Sequence, residues 1–322
     1  MEAIRVSQSS RLRTLDGWYR TEKPIVFPTF DFPSLDKLLG GGFSTGVYVL
    51  TAPPGMGKTA LAKQIQDSWS RHGLWSVYAS WELDAMELQA RSIARISGYS
   101  FRDLYHRRVG MAEWKKALET YEEEARYTEL LTPDDVDPKA GLRQQLTIPI
   151  IESVLRAHVA ENHSVALIVD YLHLIPNQAE TEEQQAKMAI EELKRLARRY
   201  QSPVLCLAAS NRLSFVDPQV GSVRGTSAVE YESDMLLVLH VPGARSLEDV
   251  AKAMQKTPIP LALTVKKGRH DPQGTVSLEF HGAQGRFVDI EGAIPTEHKR
   301  NSRVVAPKPY REYIERRGDV RS

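Results

Sequence analysis

A glycine-rich segment followed by lysine and threonine is the part of this sequence best suited to binding phosphate. It runs Ala52-Pro-Pro-Gly-Met-Gly-Lys-Thr59 and matches the pattern G-x-x-x-x-G-K-[ST] except at its first position. Gly55 and Gly57 allow backbone N–H groups to turn inward onto phosphate oxygens. Lys58 would then reach the β- and γ-phosphates of ATP, and the Thr59 hydroxyl would ligate Mg²⁺. The predicted nucleotide-binding residues are Pro54, Gly55, Met56, Gly57, Lys58, Thr59 and Ala60.

Two carboxylates directly follow apolar runs and supply the other groups that hydrolysis of ATP needs. Asp170 ends the run ALIVD, where a strand would present it beside Mg²⁺ at the carboxyl edge of a sheet. Glu82 follows WSVYAS and is the candidate general base; we expect it beside the phosphate loop if its strand neighbours the strand before that loop. Two simpler interpretations remain: Asp170 as an ordinary strand-end residue, and Glu82 as a helix-start residue held by backbone amides.

Short apolar runs alternate with helical patterns along the chain. The runs cover residues 47–52, 74–80, 165–172, 203–210 and 235–241. Strands that are apolar almost throughout are buried on both faces, as in a parallel sheet. After Pro258 the segments PLALTVKKG, GTVSLEFHG and GRFVDI predict an antiparallel meander at the sheet edge. The fold class is therefore α/β, a mainly parallel sheet flanked by helices with an antiparallel edge meander.

Capping residues and side-chain periodicity predict three helices between these strands. Asp84 and Glu87 form a capping box, and Gly98 is expected to end that helix. Thr147 is expected to cap the next helix. From Glu182 to Tyr200, acidic residues come first and basic residues last, which suits a helix dipole. The expected buried stripe of this third helix is Ala186, Ala189, Leu193 and Ala197.

Composition limits the class of protein without indicating a partner. The chain has 322 residues, with 42 Lys and Arg against 41 Asp and Glu, so net charge gives no argument for nucleic acid. Its one cysteine, Cys206, lies in an apolar run and is expected to be buried. With no apolar stretch near 18 residues, we expect a cytoplasmic protein with no membrane association. The expected organisation is an arm or linker at 1–24, one ATPase motor domain at 25–294 and a basic tail at 295–322.

Seven segments in order resemble the motor domain of the DnaB-type replicative helicases, a RecA-like ATPase family. The resemblance extends from about residue 30 to residue 290. The segments are FPSLDKLLGGGF, APPGMGKTALA, SWEL, IVDYLHLI, ELKRLARRYQSPVLCLAASNR, VRGTSAVEYESDMLLVL and VKKGRHDPQGTVSLEFHGAQGRF. It implies a RecA-like fold and an ATP-driven ring, hexameric in this family, that moves 5′ to 3′ on single-stranded DNA.

The resemblance also implies roles for individual residues. Glu82 would be the catalytic glutamate and Asp170 the magnesium-side aspartate, while Arg269 and Lys267 would enter the ATP site of the neighbouring subunit. The loop with Arg224, Gly225 and Ser227 would bind the DNA backbone. From the residues alone, KKGRHDPQG could equally be a solvated hairpin tip, and Arg224 a surface arginine.

Several positions depart from the family pattern. The glutamine that senses the γ-phosphate falls on Ala209, where Ser210 or Asn211 could substitute, and a family glutamine is replaced by His173, expected to be a polar strand-end residue. The DNA loop has Gly225 for a glutamate and Ser227 for a glycine. The roughly 25 residues before the motor are too few for the family's helical collar.

These departures bear on partners and on function. A loader protein could be a partner, but primase and loader contacts do not carry over without the collar. The alternative function is a KaiC-like or recombinase-like assembly ATPase that does not unwind DNA.

Overall fold

The computed structural model describes residues 25–132, 146–209, 227–268 and 273–290. The predicted arms at 1–24 and 295–322 lie outside these ranges. The strands are β1 (Val26–Phe27), β2 (Phe43–Ser44), β3 (Gly46–Ala52), β4 (Trp75–Ser80), β5 (Thr128–Leu131), β6 (Val165–Asp170), β7 (Pro203–Ala209), β8 (Met235–His240), β9 (Ile259–Gly268), β10 (Gly274–His281) and β11 (Arg286–Asp289). The helices are α1 (Pro33–Leu38), α2 (Lys58–Arg71), α3 (Ala85–Ser97), α4 (Phe101–Tyr105), α5 (Met111–Glu124), α6 (Ile148–Ala160), α7 (Glu182–Tyr200), α8 (Ser227–Glu232) and α9 (Leu247–Met254), with a 3₁₀ turn at Leu172–Leu174.

One nine-stranded sheet organises these elements, in the order β11-β10-β9-β8-β3-β7-β6-β4-β5. The six strands from β8 to β5 run parallel, and β9, β10 and β11 add to the β8 edge in antiparallel fashion. The predicted α/β class, the parallel core and the edge meander are therefore confirmed. A separate two-stranded ribbon joins β1 and β2.

The parallel strands are buried on both faces, as their apolar sequences predict. In β3 every residue is buried, and its side chains alternate between two cores. Tyr48 and Leu50 pack with α2, whereas Val47 and Val49 pack with α6 and α7. The predicted stripe on α7 lies in the second core, and Cys206 is also buried there.

The predicted caps of α3 are confirmed, whereas the predicted side-chain cap of α6 is not. The Asp84 side chain accepts a hydrogen bond from the Glu87 N–H at 2.7 Å, and Gly98 ends α3 in the left-handed conformation. Thr147 is the residue before α6, but its side chain caps nothing. The prediction placed the start of α6 correctly but was wrong about the cap, because a proline in the first turn already suits that start. Among the described residues, no helix is long and apolar enough to cross a membrane.

A buried ionic network ties α2 to α3. The Asp67 carboxylate accepts hydrogen bonds from the Lys63 ammonium at 2.5 Å, the Arg95 guanidinium at 2.6 Å and the Ser92 hydroxyl at 2.5 Å. Burial opposes the charge of Asp67, but Lys63 and Arg95 outweigh burial and hold its pKa below the usual 3.8. The network fixes the helix that starts just after Glu82 against the helix that follows the phosphate loop.

We expect Asp67→Asn to lower the free energy of unfolding by about 3 kcal/mol, because it leaves two buried cations without their anion. The contribution of Asp67 is complete above pH 3.8 and is lost as the pH falls below it, since its folded-state pKa is depressed. Urea unfolding at pH 7 measures the difference. The control is Glu87→Gln, which removes a partly exposed ion pair with Arg91 and should cost less than about 1 kcal/mol. Equal costs for the two variants would contradict a structural role for the network.

Candidate nucleotide-binding site

The phosphate loop connects the carboxyl end of β3 to the amino end of α2. Gly55 and Gly57 adopt φ values of 81° and 84°, in the left-handed region that favours glycine. Gly57 caps α2 without a side-chain hydrogen bond, and the first turn of α2 has no acidic residue. The amides of this helix end are therefore left to a ligand, and the helix dipole favours an anion there. Pro54 and Gly55 are exposed, whereas Met56 is buried beneath the loop.

Alanine at the first position of the phosphate motif has a simple structural explanation. Ala52 is the last residue of β3 and pairs with Ala209 on β7, so its backbone is extended and suits any residue. Its carbonyl accepts a hydrogen bond from the Lys58 ammonium at 2.9 Å across the loop. Burial lowers the pKa of Lys58, while the charges of Asp170 and Glu82 act in the opposite direction. The departure from the motif leaves the loop and its lysine in place.

Asp170 lies at the carboxyl end of β6 and contacts the phosphate loop directly. Its Oδ2 accepts hydrogen bonds from the Thr59 hydroxyl at 2.9 Å and from the Tyr78 hydroxyl at 2.8 Å. Asp170 is only 1% exposed, and burial raises its pKa to about 6, although both hydroxyl donors act to lower it. The predicted pair of Thr59 and Asp170 is therefore in contact. Tyr78 was missed by sequence reasoning, because a tyrosine in an apolar strand carries no signal for what its hydroxyl will reach.

These residues fit a nucleotide bound with Mg²⁺. A hydroxyl and a carboxylate are hard oxygen ligands of the kind that Mg²⁺ prefers. A divalent cation beside Asp170 would offset the cost of burying its charge. Thr59, Asp170 and the amino end of α2 are therefore suited to hold Mg²⁺ and phosphate side by side.

Glu82 is exposed and lies between β4 and α3. The sequence left open whether β4 neighbours β3, and the structure shows that it does not, because β7 and β6 lie between them. The register still brings Glu82 to the site: Ser80 pairs with Asp170, and the Trp81 N–H donates to the Asp170 carbonyl at 2.8 Å. Its negative charge acts to raise the pKa of both Asp170 and Lys58, although burial outweighs this effect at Lys58. The residue that caps α3 is Asp84, two positions after Glu82.

Strand β9 ends at the amino-terminal side of the parallel strands, opposite the phosphate loop. Lys267 pairs with Leu236 and Gly268 pairs with Met235, at the start of β8, whereas the phosphate loop follows the last residue of β3. Because β8 and β3 are parallel, the structure does not bring the backbone of Lys267 near its own phosphate loop. Arg269 lies outside the described residues, as do Arg224, Gly225, Ser210 and Asn211 of the other predictions.

Two other predicted residues are placed by their backbone. Ser227 is the first residue of α8. His173 lies in the 3₁₀ turn after β6 and not at the strand end, because β6 already stops at Asp170.

Gly57 and Gly55 differ in the space around them and give a matched test of the loop. A Cβ at Gly57 would lie 2.9 Å from Phe280 and 3.0 Å from Phe287, two rings stacked 4.4 Å apart, whereas a Cβ at Gly55 would meet nothing within 4 Å. Both substitutions to alanine share the cost of a positive φ. Gly57→Ala should therefore lower the free energy of unfolding by about 2 kcal/mol more than Gly55→Ala does. Urea unfolding of both variants measures this, and equal losses would show that the rings do not restrict the loop.

Comparisons with known proteins agree with this geometry. The model of the DnaB-like helicase C-terminal domain matches residues 29–289. The replicative DNA helicase DnaB of Treponema pallidum is 27% identical over 281 residues, which are 86% of this chain and 59% of that protein. The replicative DNA helicase DnaC of Bacillus subtilis is 24% identical over 271 residues, 81% of this chain and 56% of that protein. The chain thus spans less than three fifths of the length of these two relatives.

Solved structures share the fold at low sequence identity. The ATPase domain of G40P has a TM-score of 0.71 at 21% identity and covers 89% of this chain and 100% of its own. A KaiC-like protein of Pyrococcus horikoshii has a TM-score of 0.54 at 16% identity, covering 83% of this chain and 99% of its own. These similarities establish the RecA-like ATPase fold. The match to the family model identifies the DnaB-like family within that fold. The chain belongs to the DnaB-like helicase C-terminal domain family.

Proposed function

We propose that this protein is an ATP-driven DNA helicase or translocase that forms a ring and moves 5′ to 3′ on single-stranded DNA during replication. The observation that carries the proposal is the contact between Thr59 of the phosphate loop and Asp170 of β6. That contact supports a metal site formed by these two residues beside the amino end of α2, where a nucleotide's phosphates would bind. Family membership supplies the class of reaction.

Each residue of the site has a defined task in this proposal. Lys58 exchanges its bond to the Ala52 carbonyl for the β- and γ-phosphate oxygens, and Thr59 and Asp170 would hold Mg²⁺, which neutralises charge on those oxygens. Glu82 orients a water molecule and accepts its proton as the water oxygen bonds to the γ-phosphorus. The bond from that phosphorus to the β-γ bridging oxygen breaks, and ADP and phosphate leave.

The basic turn between β9 and β10 would act on a neighbouring subunit. Its flanking strands end at the side of the sheet opposite their own phosphate loop, which favours action across a subunit boundary. Arg269, with Lys267, would stabilise the charge that develops on the neighbour's γ-phosphoryl group. ATP would then lie between subunits, and hydrolysis would depend on the ring.

The loop with Arg224, Gly225 and Ser227 would bind the DNA backbone. One arginine and backbone amides suit phosphate, and the sequence from Val223 to Ser227 contains no aromatic residue on which a base could stack. Binding would therefore be independent of sequence and would weaken steeply with salt.

A KaiC-like or recombinase-like assembly ATPase is the second candidate. It is favoured by Ala209 at the sensor position and by the fold shared with a KaiC-like protein. Such a protein would hydrolyse ATP to change its partners and would not separate strands.

Two assays on one set of variants distinguish the candidates. A helicase should hydrolyse ATP faster with single-stranded DNA and should open a forked duplex. Lys58→Ala should lose hydrolysis by a factor of about 10² or more, since it removes the cation placed on the transferred phosphate. Glu82→Gln should retain ATP binding and lose hydrolysis, because the amide keeps the shape and removes the base. Hydrolysis with no strand separation would favour the assembly ATPase, and normal turnover in Lys58→Ala would contradict both.

Mixing two inactive variants tests the shared site. Arg269→Ala should bind ATP yet fail to hydrolyse it, and Lys58→Ala should supply an intact Arg269 to a neighbour. Mixed rings should recover part of the ATPase activity, because some interfaces then pair an intact phosphate loop with an intact arginine. Native mass spectrometry shows whether mixed rings form. If they form but recover no ATPase activity, Arg269 is a solvated hairpin residue and not part of a shared site.

A further inference from the structure

Tyr78 brings a hydroxyl group to the carboxylate that faces the phosphate loop. It lies in the middle of β4, it is 0% exposed, and its hydroxyl donates to Asp170 Oδ2 at 2.8 Å. The Thr59 hydroxyl donates to the same oxygen at 2.9 Å. One carboxylate oxygen therefore receives hydroxyl groups from two different elements, one from the loop side and one from the sheet.

We propose that Tyr78 is a positioning residue for the magnesium site and sets the orientation of the Asp170 carboxylate for the cation. This inference rests on the proposed nucleotide-binding function. Both side-chain hydrogen bonds that the described residues make to Asp170 fall on Oδ2, which leaves Oδ1 available to Mg²⁺ or to a metal-bound water. A carboxylate held on one oxygen from two directions keeps its plane fixed, so it need not be ordered when the cation binds.

The division of work between the two donors follows from where they lie. Thr59 lies in the first turn of α2, directly after the loop, and a hydroxyl that donates its proton to Asp170 keeps its oxygen lone pairs for a cation. Tyr78 lies in a strand one place from the sheet edge, it is 0% exposed, and it donates its hydroxyl hydrogen to Asp170, so this hydroxyl serves the carboxylate.

A second buried tyrosine provides the comparison. Tyr48 lies in β3 and is 4% exposed. Its hydroxyl oxygen accepts a hydrogen bond from the backbone N–H of Ser44 at 2.9 Å, away from Asp170. Replacing either tyrosine with phenylalanine removes one hydroxyl and retains the ring in the core. If burial of a satisfied phenol were the whole role of Tyr78, the two substitutions would have the same effect on the nucleotide site.

The test measures Mg²⁺-dependent binding of a fluorescent ADP analogue, which does not depend on turnover. In Tyr78→Phe the Mg²⁺ concentration for half-maximal enhancement of binding should rise about tenfold, the effect expected from losing one hydrogen bond to a charged group. Affinity for the analogue in EDTA should stay within about twofold of the parent. Tyr48→Phe should change neither quantity, and circular dichroism establishes that both variants fold.

A double-mutant cycle with Asp170→Asn shows whether the effect passes through the carboxylate. In that background Tyr78→Phe should change the Mg²⁺ requirement by less than about twofold, because the group it positions is already altered. If Tyr78→Phe does not fold, Tyr78→Met fills similar volume with a flexible apolar chain and gives the same measurement. An unchanged Mg²⁺ requirement in a folded variant would overturn this inference alone. A parent protein without Mg²⁺-dependent binding would instead overturn the proposed function.

Discussion

The hydrogen bond between Thr59 and Asp170 joins residues 111 positions apart, and it exists only because of the order of the strands. The loop follows β3 and the aspartate ends β6, with β7 between them. In a parallel sheet all carboxyl ends meet at one edge, so a residue that ends a strand two places away can reach the loop. The pairing of β4 with β6 brings Glu82 to the same edge, although Glu82 follows β4, a strand one place farther from β3. The catalytic chemistry proposed for this protein depends on that edge.

Bringing these groups together has an electrostatic cost that a bound nucleotide would relieve. Burial raises the pKa of Asp170 to about 6 and lowers the pKa of Lys58, so the fold works against both charges. The surrounding polar contacts offset part of this cost: the Ala52 carbonyl receives Lys58, and two hydroxyl groups donate to Asp170. Phosphate and Mg²⁺ would supply the opposite charges that each group lacks. The site is thus suited to bind a negatively charged phosphate at Lys58 and a positively charged Mg²⁺ at Asp170.

Local sequence rules predicted the strands and caps because those features depend on neighbouring residues. The five strands predicted for the parallel sheet coincide with β3, β4, β6, β7 and β8 to within two residues at each end. The order of the strands could not be obtained in this way, so the sequence left open whether the strand before Glu82 neighbours β3, and in the structure β7 and β6 intervene. The partner of Tyr78 was equally hidden, because it depends on β4 lying next to β6. The short strand β5 carries only half-buried residues and gave too weak a pattern to be predicted.

The most direct test of the central claim is a crystal structure with Mg²⁺ and a non-hydrolysable ATP analogue. The account predicts that the Lys58 ammonium leaves the Ala52 carbonyl, now 2.9 Å away, and contacts β- and γ-phosphate oxygens. It also predicts Mg²⁺ beside Thr59 and Asp170, with Glu82 within reach of a water in line with the γ-phosphorus. A nucleotide bound elsewhere, or Lys58 still bonded to Ala52 with the analogue present, would contradict the account.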